Sequence, residues 1–140
     1  MVNRSDLYTT TDLKKTYFSD FTSNFDRNPV TGFLAMAINE EDAKKLVRNL
    51  VLTIQGERFF QPRNGTNAYD LQFEMADSVT ISQLEDSIRE TIANNLKFVK
   101  VLDVVINNNP GNNAVSATIV FSLINNNTPI SLVIAMKRVR

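Results

Sequence analysis

From Val99 to the C terminus the sequence alternates. Val115, Ala117, Ile119, Phe121 and Leu123 fall on one parity and Ser116, Thr118 and Ser122 mostly on the other, and Ile130, Leu132, Ile134 and Met136 repeat the pattern. A period of two belongs to a strand with one buried and one wet face. Val99–Ile106 precedes these runs, and the breaks between them are rich in Asn: Asn107, Asn108, Asn109, Asn112 and Asn113 around Pro110 and Gly111, then Asn125, Asn126 and Asn127 before Pro129. Asn tolerates left-handed backbone and bonds its own local amides, so these are turns. They are too short, and too closely set between patterned apolar runs, for a prion-like tract. Short connections between successive strands predict a three-stranded antiparallel meander.

Two helices are predicted upstream. Asn39 serves as an N-cap, Glu40, Glu41 and Asp42 place negative charge on the first turn, and Ala43, Leu46, Val47, Leu50, Val51 and Ile54 recur at three- and four-residue steps until Gly56. Lys44, Lys45 and Arg48 form its polar face, solvated or available for docking. The second helix opens on a capping box of Thr80 and Gln83, with Val79 and Leu84 as the staple and Ile81, Leu84, Ile88 and Ile92 as one apolar stripe, and fades near Asn94 or Asn95. The fold class is therefore α+β: two amphipathic helices packed on a small antiparallel meander.

Ahead of the first helix lies a different kind of segment. Tyr8, Tyr17, Phe18, Phe21, Phe25 and Phe33 are scattered without a period through Thr, Ser, Asp and Asn, with a turn at Asn28-Pro29-Val30-Thr31-Gly32. Residues 1–38 read as an aromatic arm and residues 39–140 as the α+β domain. The rings either cap the edge of the chain's own core or pack on a neighbouring subunit. Between the helices, Arg58–Gln61 reads as a short extended piece ended by Pro62, with Phe59 or Phe60 turned inward, followed by a turn at Asn64-Gly65.

Composition removes much chemistry. The 140 residues include no His and no Cys, which excludes Cys/His zinc sites, thiol nucleophiles, Ser-His-Asp triads and disulfides. Fifteen basic and fifteen acidic side chains balance to zero, against nucleic-acid binding as the main activity. No Gly-rich phosphate loop is present, and no cofactor is expected. No apolar run reaches the roughly 18 residues of a membrane span, and Met1–Thr11 has no signal-peptide core. The expectation is a soluble, unprocessed, cytoplasmic chain. The one catalytic engine left open is a carboxylate pair, with Glu57 and Glu74 in the irregular middle as its members, as in glycoside hydrolysis.

The middle segment resembles a known family. An Arg48-Asn49-Leu50 segment on a helix, Gly-Glu-Arg-x-Phe-x-Pro from Gly56 to Pro62, then Gly65, Phe73-Glu74 and a capped helix look like the baseplate wedge proteins of contractile-tailed bacteriophages. This group is sometimes labelled phage lysozyme-like, and it is similar to a baseplate component of type VI secretion systems. The likeness runs from about Asn39 to Ile106 and more loosely to the C terminus. It implies a structural, non-enzymatic subunit of the virion tail baseplate, assembled in the host cytoplasm and present in several symmetric copies. It also implies docking on a helical bundle of larger wedge subunits and a sheet domain on which tail sheath assembly begins. Arg48, Gly56, Glu57, Arg58, Phe60, Pro62, Gly65, Phe73 and Glu74 become family-motif and wedge-contact candidates. One departure stands out: many members carry Glu-Pro-Arg just after the second helix, where this chain has Leu96-Lys97-Phe98.

The last strand supplies a physical mechanism. An edge strand exposes unpaired N–H and C=O groups and accepts a strand from another chain. Ser131, Val133, Lys137, Arg138 and Arg140 are the sheath-edge candidates, the cations either guarding the edge or complementing an acidic sheath arm. The competing expectations are a cell-wall glycan hydrolase acting through the carboxylates and an unrelated binding domain of the same fold class.

Overall fold

The computed structural model describes residues 18–71, 78–109 and 114–137. These fall into two compact units, one ending at Asp42 and the other running from Ala43. In the first, β1 (Ser19–Phe21) pairs antiparallel with β2 (Met36–Ile38). The connection folds back on itself at Asn28, whose carbonyl accepts from Gly32 N–H at 2.9 Å while its side chain accepts from Val30 N–H at 2.9 Å. This is the turn that Pro29 and Gly32 predict, with Gly32 at a φ of 73°. The aperiodic aromatic segment thus holds a hairpin, with strands too short to show a period. Asn39, at a φ of 50°, accepts the Phe18 N–H on its side chain.

The second unit takes α1 (Glu40–Leu52) from Ala43 on, with α2 (Ala68–Leu71), α3 (Ser78–Asn95) and the strands β3 (Val99–Asn109), β4 (Ala114–Leu123) and β5 (Asn126–Lys137). The strands form the expected antiparallel meander in the order β3-β4-β5. Its buried parity is the predicted one: Ala117, Ile119, Phe121 and Leu123 on β4 and Ile130, Leu132, Ile134 and Met136 on β5. They join Ala43, Val47 and Val51 of α1 and Leu84, Ile88 and Ile92 of α3 in one core. The α+β reading holds.

Several boundaries differ from expectation for local reasons. The turn between β4 and β5 is only Ile124-Asn125, so Asn126 and Asn127 already belong to β5. Similarly, Asn107–Asn109 extend β3 rather than break it, each paired with a β4 residue. Ser78 and Val79 are already helical, which puts Thr80 inside α3 instead of at its cap. The Thr80–Gln83 spacing of a capping box thus falls within the helix. Finally, α1 ends at Leu52, because the Thr53 carbonyl takes the Thr66 N–H at 2.9 Å and Ile54 bridges Thr66 in parallel.

Candidate functional site

Ile54 and Thr66 close a loop whose interior is a succession of tight turns. Glu57 N–H donates to Ile54 O at 3.1 Å, Gln61 N–H to Arg58 O at 3.2 Å and Asn64 N–H to Gln61 O at 3.0 Å, while Gly56 N–H closes across the loop on Pro62 O at 2.9 Å. The expected extended piece at Arg58–Gln61 is therefore a turn. Phe59 and Phe60 are its two central residues, which project away from the chain on both sides of them. Neither ring goes inward: Phe59 is 97% and Phe60 100% exposed, the reverse of the sequence expectation. The alternation that would bury one of them requires extended backbone, and this backbone turns twice between Arg58 and Asn64.

The base of the loop is held by Gly65 and Thr66. At Gly65 the φ of 116° suits glycine, and a Cβ there would meet the Thr53 carbonyl oxygen at 2.5 Å. Thr66, which no sequence signal singled out, is 2% exposed; its hydroxyl donates to Val51 O at 2.7 Å and accepts from Ala68 N–H at 3.3 Å. It thereby satisfies a terminal carbonyl of α1 and a terminal amide of α2 together. Gly56 is also left-handed, at a φ of 90°, with open space where a Cβ would stand.

The remaining motif residues divide by what they touch. Glu57 accepts the Ile54 N–H on Oε2 at 3.2 Å, so its carboxylate braces its own loop. Arg58 and Arg63 are exposed, and neither guanidinium meets a carboxylate among the described residues. Phe73 and Glu74 lie outside the described residues, so Glu57 has no described catalytic companion there. Between the loop and α3 lies an open groove of about 740 Å³ with a polar lining that includes Gln55, Arg63, Asn67, Asp86 and Glu90. Among the described residues no aromatic ring lines it. Among the described residues no group of three or more carboxylates is placed to hold a metal ion, and no helix is long and apolar enough to cross a membrane.

The structure brings together two residues that sequence reasoning assigned to different surfaces. Arg48 of α1 donates from Nη2 to the Val133 carbonyl of β5 at 3.4 Å. Val133 and Ser131 stand exposed on the sheet's outer face, paired with Thr118 and Val120 of β4. Lys137 ends β5 opposite Ala114, and Arg138 and Arg140 lie outside the described residues. The opposite edge strand, β3, is engaged by α3: Glu85 Oε1 accepts the Ile106 N–H at 3.2 Å, and Arg89 meets Asp103 at 4.0 Å. At the corner where Glu-Pro-Arg is missing, Leu96 and Phe98 pack against the chain's own core and the Phe98 carbonyl accepts the Ile124 N–H at 3.1 Å.

No sequence model of a protein family matches this chain, and no curated protein matches it in sequence. Among solved structures, the fold is shared with a protein of Geobacter sulfurreducens described as a candidate tail lysozyme. The TM-score is 0.67 at 22% identity, over 76% of this chain and 98% of that one. It is shared also with a chain of the anti-feeding prophage baseplate, solved with six-fold symmetry, at a TM-score of 0.58 and 17% identity over 84% of this chain and 83% of that one. At such identities the likeness establishes the fold. That fold is the one the baseplate resemblance in the sequence leads one to expect, an α+β domain found in tail and baseplate proteins.

Proposed function

We propose that this chain is a structural subunit of a phage tail or tail-like baseplate, acting by docking rather than by catalysis. The observation that carries the reading is the meander of an α+β domain shared with a prophage baseplate chain, left with β5 as its less protected edge. Wedge subunits are the first partners, engaged through the Gly56–Pro62 motif and the exposed rings of the first unit, among them Phe25 and Phe33. The tail sheath protein is the second, adding a strand along β5 where Ser131 and Val133 are displayed. The six-fold symmetry of the prophage baseplate supports several symmetric copies per particle and a location in the virion tail baseplate.

Sheath assembly on purified baseplates tests the edge directly. Val133 is 57% exposed on the sheet's outer face, so Val133→Lys leaves the core intact while placing a cation beside the side chains that an added strand would bring to that face. Baseplates carrying this variant are expected to retain the subunit and to lack sheath; normal sheath on them rules out the β5 edge. A second reading, a cell-wall glycan hydrolase, is favoured only by the description of the Geobacter protein. Purified protein is expected to leave peptidoglycan intact. Turnover that is lost in Glu57→Gln or Glu74→Gln reverses the assignment.

A further inference from the structure

Phe59 and Phe60 are the most exposed large apolar side chains among the described residues, and they sit on a loop that has no freedom to fold them away. The cross-loop bond from Gly56 to Pro62, the successive turns and the Ile54–Thr66 bridge fix the backbone on both sides of the pair. Gly65 fixes the base, since its backbone lies against the Thr53 carbonyl. A phenyl ring covers about 150 Å² or more when it is buried, so the pair offers a compact apolar projection on a backbone already held by the loop's hydrogen bonds. Arg58 and Arg63 flank it without an ion pair among the described residues, Arg63 sharing the polar groove with Asp86 and Glu90, while Glu57 is turned into the loop on the Ile54 N–H.

We infer that Phe59 and Phe60 are paired anchors that insert into an apolar pocket, rimmed by carboxylates, on a neighbouring baseplate protein. This deepens the docking assignment above and rests on it. Aromatic rings with adjacent arginines are the side chains that dominate protein interfaces, the rings filling the desolvated centre and the cations pairing at the rim. Charge identifies the partner's chemistry, because among the described residues the tip presents Arg58 and Arg63 without an ion pair, while its acid, Glu57, is engaged by the Ile54 N–H. It also argues against a second copy of this chain, since a self-complementary contact through this loop sets Arg58 and Arg63 against their own duplicates. Phe59, which the sequence motif leaves as a variable position, becomes an anchor equal to Phe60.

The test uses the full chain produced together with the tail-cluster proteins encoded beside it and purified as their complex. Phe59→Ala with Phe60→Ala is expected to weaken the complex about thirtyfold or more, the size of an interface hot spot. Its thermal unfolding stays that of the wild type, as the rings touch no core. Arg58→Glu with Arg63→Glu slows association and flattens its salt dependence. A photoreactive phenylalanine at position 60 then cross-links to a partner peptide containing apolar residues and at least one Asp or Glu. Wild-type affinity in the double Phe variant overturns the inference, as does a cross-link only to another copy of this chain, or ring-dependent binding to phosphatidylglycerol vesicles with none to the tail proteins. Failure of the wild-type chain itself to join any tail protein counts instead against the baseplate assignment.

Discussion

Thr66 and Gly65 show how single residues hold the loop in place. The Thr66 hydroxyl serves Val51 O and Ala68 N–H together, in a site that water does not reach. Thr66→Val keeps the shape and leaves both backbone groups without a partner, so a loss of about 1–3 kcal/mol is expected in urea unfolding. Thr66→Ser keeps the hydroxyl and should lose much less. Gly65→Ala is expected to destabilise more than Gly56→Ala. Both positions have a left-handed backbone, but only at Gly65 does the added carbon meet a carbonyl oxygen. A shift in the urea midpoint at unchanged slope is the readout for each variant. Equal losses at the two glycines contradict the close approach at Gly65. At the opposite extreme, Phe59→Ala and Phe60→Ala should change stability by no more than about 0.5 kcal/mol, as exposed residues do.

At the scale of elements, the central strand β4 carries the core, and β5 is the strand proposed to carry the interface. Phe121 is fully buried in the middle of the sheet, and Phe121→Ala is expected to remove about 3–5 kcal/mol, measurable by the same unfolding experiment. Because Ile130, Leu132, Ile134 and Met136 belong to the same core, removal of β5 tests folding and not docking; point changes on its exposed parity are the informative ones. The alternation of β4 and β5 and the Leu84-Ile88-Ile92 stripe were legible in the sequence, because a long element pressed against a core imposes its period on the residue types. The 54–66 loop was not legible in that way. Gly56, Pro62, Asn64 and Gly65 do mark turns, yet the direction of Phe59 and Phe60 depends on hydrogen bonds to residues outside the tetrad that contains them. The β1–β2 hairpin escaped notice because a three-residue strand is shorter than any pattern it could display. Likewise the pairing of Arg48 with Val133 joins positions 85 apart in sequence, and no local signal announces it.

For the whole molecule, the most exposed large apolar side chains among the described residues are Phe59 and Phe60 on the loop and Val30 and Phe33 in the first unit, followed by Phe25, Ile124, Val79 and Val133. A balanced net charge and a sequence without His or Cys suit the proposed docking role, since docking needs edges, rings and turns more than nucleophiles or metals. Glu85 and Arg89 address the β3 edge and Arg48 meets β5 at one carbonyl, which is why the proposed strand addition is assigned to β5. Whether the chain is a baseplate subunit is tested most directly by quantitative mass spectrometry of purified tail particles. The account predicts this chain in every baseplate-bearing particle, in a fixed ratio to the other baseplate subunits that matches the particle's symmetry. Its absence from those particles, with the protein recovered free instead, contradicts the account.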